Sequence, residues 1–222
     1  MGKRGPKPKG KVKIKWSPEF AYAVGLLASD GCLSSNGRHI IFTSTETEQL
    51  KNFMYALDIT AALGEGKDRT GKMRVTRVQF GDVLFYAFLV SIGLMPNKSK
   101  IIGKVAIPAE FFFDFLRGSF DGDGSTYSYY DPRWRSSFMF YTSFTSASRL
   151  HIDWLQHEIE RRLHIRGHIS ENPAKRSVIQ LRYAKADSLK LLPKMYYSKK
   201  VLCLSRKRLK IEKMLRIVGE HL

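Results

Sequence analysis

Phe20-Ala-Tyr-Ala-Val-Gly25-Leu-Leu-Ala-Ser29-Asp30-Gly31-Cys32 is echoed later in the chain by Phe113-Asp-Phe-Leu-Arg-Gly118-Ser-Phe-Asp-Gly122-Asp123-Gly124-Ser125. Each stretch is short and mostly apolar. Each carries two small residues four apart, Gly25 and Ser29 in the first and Gly118 and Gly122 in the second. That spacing puts both small side chains on one face of a helix, where a second helix backbone can come close. The steric reason is familiar from membrane helices and does not depend on solvent. Both stretches end in Asp-Gly, and the glycine ends the helix. If the two helices pack together, Asp30 and Asp123 emerge side by side. Two carboxylates held so make a place for a hard divalent cation.

The rest of the chain points to a polyanion. Its 222 residues carry a formal net charge of +18, which favours nucleic acid over a membrane surface as the partner. The charge gathers at the ends. Lys3, Arg4, Lys7, Lys9, Lys11, Lys13 and Lys15 precede any acid, and Lys199, Lys200, Arg206, Lys207, Arg208, Lys210, Lys213 and Arg216 face only Glu212. Cys32 and Cys203, without a CxxC pair, predict reduced intracellular thiols rather than a zinc site. The basic N-terminus lacks the apolar core of a signal peptide, and no run is long enough to span a membrane. The histidines show no paired metal spacing.

Around the repeated stretches the order of elements repeats as well. Ser17-Pro18-Glu19 predicts a helix start. A hairpin turning at Ser35-Asn36-Gly37 follows, then a helix from Thr45 to Leu57, a second hairpin and a helix over 82–93. Pro108 opens the second motif helix. A hairpin over 125–143, a helix over 147–163, a hairpin over 166–183 and a helix over 185–196 complete the copy. The chain divides into a flexible basic arm (1–16), an N-terminal half (17–104), a C-terminal half (105–205) and a basic C-terminal helix (206–222). Antiparallel sheets with helices on one face make the class α+β. Between Lys72 and Phe80 the apolar parity changes sides, which predicts a β-bulge near Thr76-Arg77.

A sheet backed by helices leaves one face free. Ile179, Leu181 and Tyr183 alternate with Arg176, Gln180 and Arg182, and the first half offers Arg38, Lys72, Arg74, Arg77 and Gln79. Arg and Gln make bidentate contacts with guanine and adenine in the major groove. Two strands of about 9–10 residues end to end span about 60 Å, a duplex site of roughly 18 base pairs.

The repeated stretch resembles the motif of the LAGLIDADG homing endonucleases in their single-chain form. The nine motif positions fall on residues 23–31, Ala23 to Gly31, and on residues 116–124, Leu116 to Gly124. The motif's earlier acid is present as Asp121 and replaced by Ala28 in the first copy. The resemblance covers about residues 17–205 and implies two pseudo-symmetric αββαββα halves forming a saddle. It implies that Asp30 and Asp123 are catalytic metal-binding acids, with Mg²⁺ or Mn²⁺ as cofactor. It also implies one lysine per half acting on the water or the phosphate, Lys98 in Pro-Asn-Lys-Ser and Lys199 or Lys200 in Tyr-Tyr-Ser-Lys-Lys, with Lys199 favoured. Thr45, Thr145 and Gln79 are candidates for shaping the water network. The activity implied is a monomeric, site-specific double-strand cut across the minor groove of DNA, leaving short 3′ overhangs. The alternatives are a maturase that binds intron RNA on the same scaffold and a DNA-binding regulator that does not cut.

Overall fold

In the computed structural model, which describes residues 10–67, 71–72, 74–134, 136–171 and 178–222, the first repeated stretch forms helix α1 (Pro18–Ser29). Ser17 caps it by accepting a hydrogen bond from the Phe20 N–H at 3.1 Å, and Pro18 takes the first turn, where no N–H is needed. Every residue of α1 from Phe20 to Ala28 is buried. The second stretch forms α4 (Phe112–Asp123) after a short 3₁₀ turn. The two helices pack backbone to backbone. A Cβ placed on Gly118 would lie 2.0 Å from the Tyr22 carbonyl oxygen, and one on Gly25 would lie 2.1 Å from that of Phe115. Only glycine fits at either position.

Each half then builds the same layer. The first contains β1 (Gly31–Leu33), β2 (His39–Ser44), α2 (Thr47–Ala56), β3 (Leu63–Lys67), β4 (Arg74–Gly81) and α3 (Val83–Ser91). The second contains β5 (Ser125–Tyr130), β6 (Phe138–Ser146), α5 (Arg149–Leu163), β7 (His168–Glu171), β8 (Ile179–Ala184) and α6 (Lys185–Met195), and α7 (Ser205–Ile217) follows. Both sheets are four-stranded and antiparallel, ordered β1-β2-β4-β3 and β5-β6-β8-β7. Phe42, Val78 and Phe80 of the first sheet and Phe140, Phe144, Leu181 and Tyr183 of the second point into the helices and are buried. The alternating strands thus leave an opposite face open in each half.

Two sequence expectations change. The bulge near Thr76-Arg77 is absent: β4 pairs with β2 in unbroken register from Ser44↔Thr76 to His39↔Gly81, and with β3 from Leu63↔Val78 to Lys67↔Arg74. The parity change arises because Val75 lies on the outward side, half-buried, and needs no extra residue. The basic arm is also anchored from residue 11 onward. The Asp82 carboxylate, which caps α3, accepts from the backbone N–H groups of Lys11 and Val12, and Val12 enters the core. Residues 1–9 lie outside the described residues. Helix α7 joins the core through Ile211, Met214 and Leu215, the apolar side of an otherwise basic helix.

Candidate active site

The close approach of α1 and α4 carries their C-terminal ends to one place. Asp30 is the residue that ends α1 and Asp123 is the last of α4. A Cβ on Gly122 would lie 3.0 Å from the Asp30 Oδ2, so the bare glycine is what lets Asp30 sit against the other helix. Asp30 is half-buried and Asp123 exposed, and the desolvation that each carboxyl meets at the helix junction raises it above its ordinary range. For Asp30 the neighbouring Asp123 charge adds to that effect and the group is pushed up to about 7. Among the described residues neither carboxylate has a hydrogen-bond or ion-pair partner.

Beneath them sit two buried lysines, one for each helix end. The Lys98 Nζ donates to the carbonyls of Ser29 (3.1 Å) and Gly31 (2.6 Å). The Lys207 Nζ donates to the carbonyls of Phe120 (2.6 Å), Asp121 (2.8 Å), Gly122 (3.0 Å) and Gly124 (2.7 Å). Ser29 and Gly31 flank Asp30 as Gly122 and Gly124 flank Asp123, so the lysines are pseudo-symmetric mates. Helix C-termini carry partial negative charge, which a cation satisfies. The fields cross over: Lys207 opposes the rise at Asp30 more than Lys98 does, and Lys98 opposes that at Asp123 more than Lys207 does. Burial lowers both lysines, and the acids hold them up.

The position matching Lys98 therefore belongs to Lys207, not to Lys199 or Lys200. Lys199 is exposed and lines a cleft with Arg208, Glu212 and Arg216, while its backbone carbonyl accepts from Arg208. The sequence did hold a signal for Lys207. It falls in the apolar stripe that runs from Leu204, ahead of α7, to Ile211 and Leu215, where a lysine must find partners.

Asp121 does something else. Its Oδ2 accepts from the Tyr22 hydroxyl at 2.8 Å and from the Leu204 N–H at 2.6 Å, which ties α4 to α1 and to the start of α7. Burial pushes it up to about 6. Ala28 holds the equivalent place in α1, so this strut exists once.

A cavity opens from each acid. Asp30 faces one of about 280 Å³ lined by Thr43, Thr45, Glu46 and Arg206. Asp123 faces one of about 230 Å³ lined by Lys98, Ser99, Thr145 and Ser146. Thr45 and Thr145 thus line the two cavities, whereas Gln79 lines neither. No third His, Cys, Asp or Glu joins the pair among the described residues. Two unpartnered carboxylates beside open, polar space fit a hard cation that takes its remaining ligands from water and phosphate oxygens. They do not fit a closed structural site.

The open sheet faces continue outward from this centre. Arg77 and Gln79 point away from the helices, as do Gln180 and Arg182. Phe42 pairs with Val78 and Phe144 with Leu181, so Arg77 occupies the place of Gln180, and Gln79 that of Arg182. Between the halves the two side-chain types are exchanged. Arg38 lies over Gly81 at the outer end of the first face. Arg74, however, shares the parity of Val78 and Phe80 and so leaves the set on that face. Lys72 lies just ahead of β4, and Arg176 lies outside the described residues.

No sequence-family description and no curated protein matches the chain. Solved structures do. The homing endonuclease I-WcaI bound to its DNA recognition sequence superposes with a TM-score of 0.60 at 15% identity, over 94% of this chain and 95% of that one. I-DmoI in complex with DNA and Ca gives 0.56 at 12% identity, over 87% and 97%. Full-length WhiA from Thermatoga maritima gives 0.58 at 16%, covering 95% of this chain, which spans 63% of that protein's length. The fold is the LAGLIDADG saddle, two four-stranded sheets around a central helix pair.

Proposed function

We propose that the chain is a site-specific, divalent-metal-dependent DNA endonuclease of homing type that acts as a monomer. The observation that carries this reading is the pair Asp30 and Asp123, brought together at the ends of the two central helices, half-buried and exposed respectively, with no hydrogen-bond or ion-pair partner among the described residues. A protein that only binds DNA gains nothing from two uncompensated acids facing phosphates. Neighbours with this fold were solved bound to DNA, one with Mn and one with Ca.

Asp30 and Asp123 would hold Mg²⁺ or Mn²⁺, which supplies an activated water and stabilises the charge that develops on the phosphate. Lys98 and Lys207 hold the helix ends rigid and place positive charge beneath the acids. The four carbonyls around Lys207 take up all three of its protons, so it acts through its field and not by donating to water. Arg77, Gln79, Gln180 and Arg182 read base edges. Because they differ between halves, the site is an imperfect palindrome, and the product carries short 3′ overhangs.

The test begins with duplexes selected from a randomised pool in EDTA and inserted into a plasmid. Mg²⁺ should then linearise the wild-type reaction. Asp30→Asn and Asp123→Asn should keep specific binding and lose linear product by at least about 100-fold, the scale of losing a transition-state stabiliser. Linear DNA at the wild-type rate from either variant would sink the mechanism. A wild-type chain that binds its site and never breaks it in Mg²⁺ or Mn²⁺ would be a non-cutting regulator.

A further inference from the structure

The two open sheet faces are made of different material. On the first, the three-residue β1 presents Cys32, with the aliphatic Ile41 and Val75 on the neighbouring strands. On the second, the six-residue β5 presents Tyr127 and Tyr129, and Tyr141 of β6 stands opposite Tyr127 in the register. The rings form a row. Tyr129 and Tyr141 lie 6.4 Å apart and 12° from parallel, and Tyr127 and Tyr129 lie 5.6 Å apart at 34°. Tyr127 is 63% exposed. With Gln180 and Arg182 the row lines a groove of about 550 Å³. The core lies on the opposite side of this sheet, under Phe140 and Phe144, and makes no use of these rings. A contiguous aromatic surface left in water marks an interaction site.

We infer that the tyrosine row reads thymine, and that the half-site beneath the second sheet is a tract of A·T pairs. The inference rests on the duplex-binding reading above. On the major-groove edge of a base pair the thymine C5-methyl is the apolar group. A tyrosine ring offers apolar area at small entropy cost and keeps its polar tip wet. Gln180 supplies the complement. The Arg182 guanidinium donates twice to its carbonyl oxygen, at 2.8 and 3.1 Å, which fixes the amide's orientation and leaves its NH₂ free. That group can donate to the N7 of the purine paired with thymine. An intact duplex hides the faces of its bases, so rings in its groove meet edges. Stacking on this row would need unpaired bases instead.

The full chain selects duplexes from a randomised pool in EDTA. A·T pairs should be enriched at one end of the selected site only. Replacing a thymine there by deoxyuridine removes only the methyl, and each replacement should weaken binding about fourfold, the worth of one buried methyl. At the other end it should change little. The double variant Tyr127→Thr/Tyr141→Thr keeps residues that favour strands and should bind thymine and uracil duplexes alike. A strong consensus without thymine at either end, or uracil duplexes bound as tightly as thymine ones, overturns the inference and leaves duplex binding standing. Single-stranded RNA bound more tightly than any duplex, and lost in the same double variant, overturns it in favour of stacking on unpaired bases. Enrichment of no duplex at all overturns both.

Discussion

Lys207 lies among eight cations near the C-terminus, and its place in an apolar stripe, borne out by its burial, separates it from the others. Replacing it by Met would leave four carbonyl oxygens at the end of α4 without their donor. At about 1–3 kcal/mol for each buried group that no water reaches, Lys207→Met should lower stability by at least about 2 kcal/mol and abolish cleavage. Lys199→Ala should leave both near wild type. Thermal melts and plasmid cutting together check the pair. Asp30 gives a prediction with the opposite sign. Its carboxyl titrates near 7 in the folded chain against an ordinary 3.8, so the folded state holds the proton more tightly than the unfolded one. Metal-free stability therefore falls as pH rises from about 4 to about 7 and is flat above. Asp30→Asn should raise the melting temperature in EDTA at pH 8 and barely change it at pH 4. A gain that is the same at both pH values would show that the acid is not strained by its surroundings.

The helix pair was the most legible element. Small residues four apart and a terminal Asp-Gly state both its face and its polarity, because a backbone-to-backbone approach leaves chemistry no choice but glycine. Gly118→Ala would put a methyl 2.0 Å from the Tyr22 carbonyl oxygen and make the helices separate. Overpacking of that kind costs about 1–3 kcal/mol or more, and here the separation also moves Asp123 from Asp30. Gly118→Ala should therefore lose cleavage more steeply than it loses specific binding, which gel shifts and plasmid cutting on the same preparation would compare. The strands were less legible. Parity places a residue on a face only while the register is known. Val75 on the open side imitates a bulge in the sequence, and Arg74 follows the buried parity yet is exposed. The arm misled for a related reason. Its lysines read as solvated chain, yet Val12 is what docks, held by a carboxylate 70 residues away.

At the scale of the whole molecule the sequence conveyed the repeat, the basic surface and the class of fold, since each rests on patterns that recur along the chain. It could not convey which distant segment closes each half. Helix α7 does so for the second half, and ending the chain after Leu204 would remove Lys207 together with Ile211, Met214 and Leu215. Three buried side chains at about 1.5–3 kcal/mol each rival the whole stability of a typical domain, about 5–15 kcal/mol. The shortened chain should show no cooperative melt. In the intact chain, binding should fall steeply with salt, as phosphate contacts release counterions. Affinity unchanged between about 50 and 200 mM salt would contradict a saddle that grips the backbone. The crossed lysines have a consequence for inheritance. Each copy of the repeat braces its own helix with its own lysine, yet each lysine's charge bears on both acids. A lesion in either copy is felt at both, so the centre is inherited as one unit, while the two outlying faces are free to learn different words.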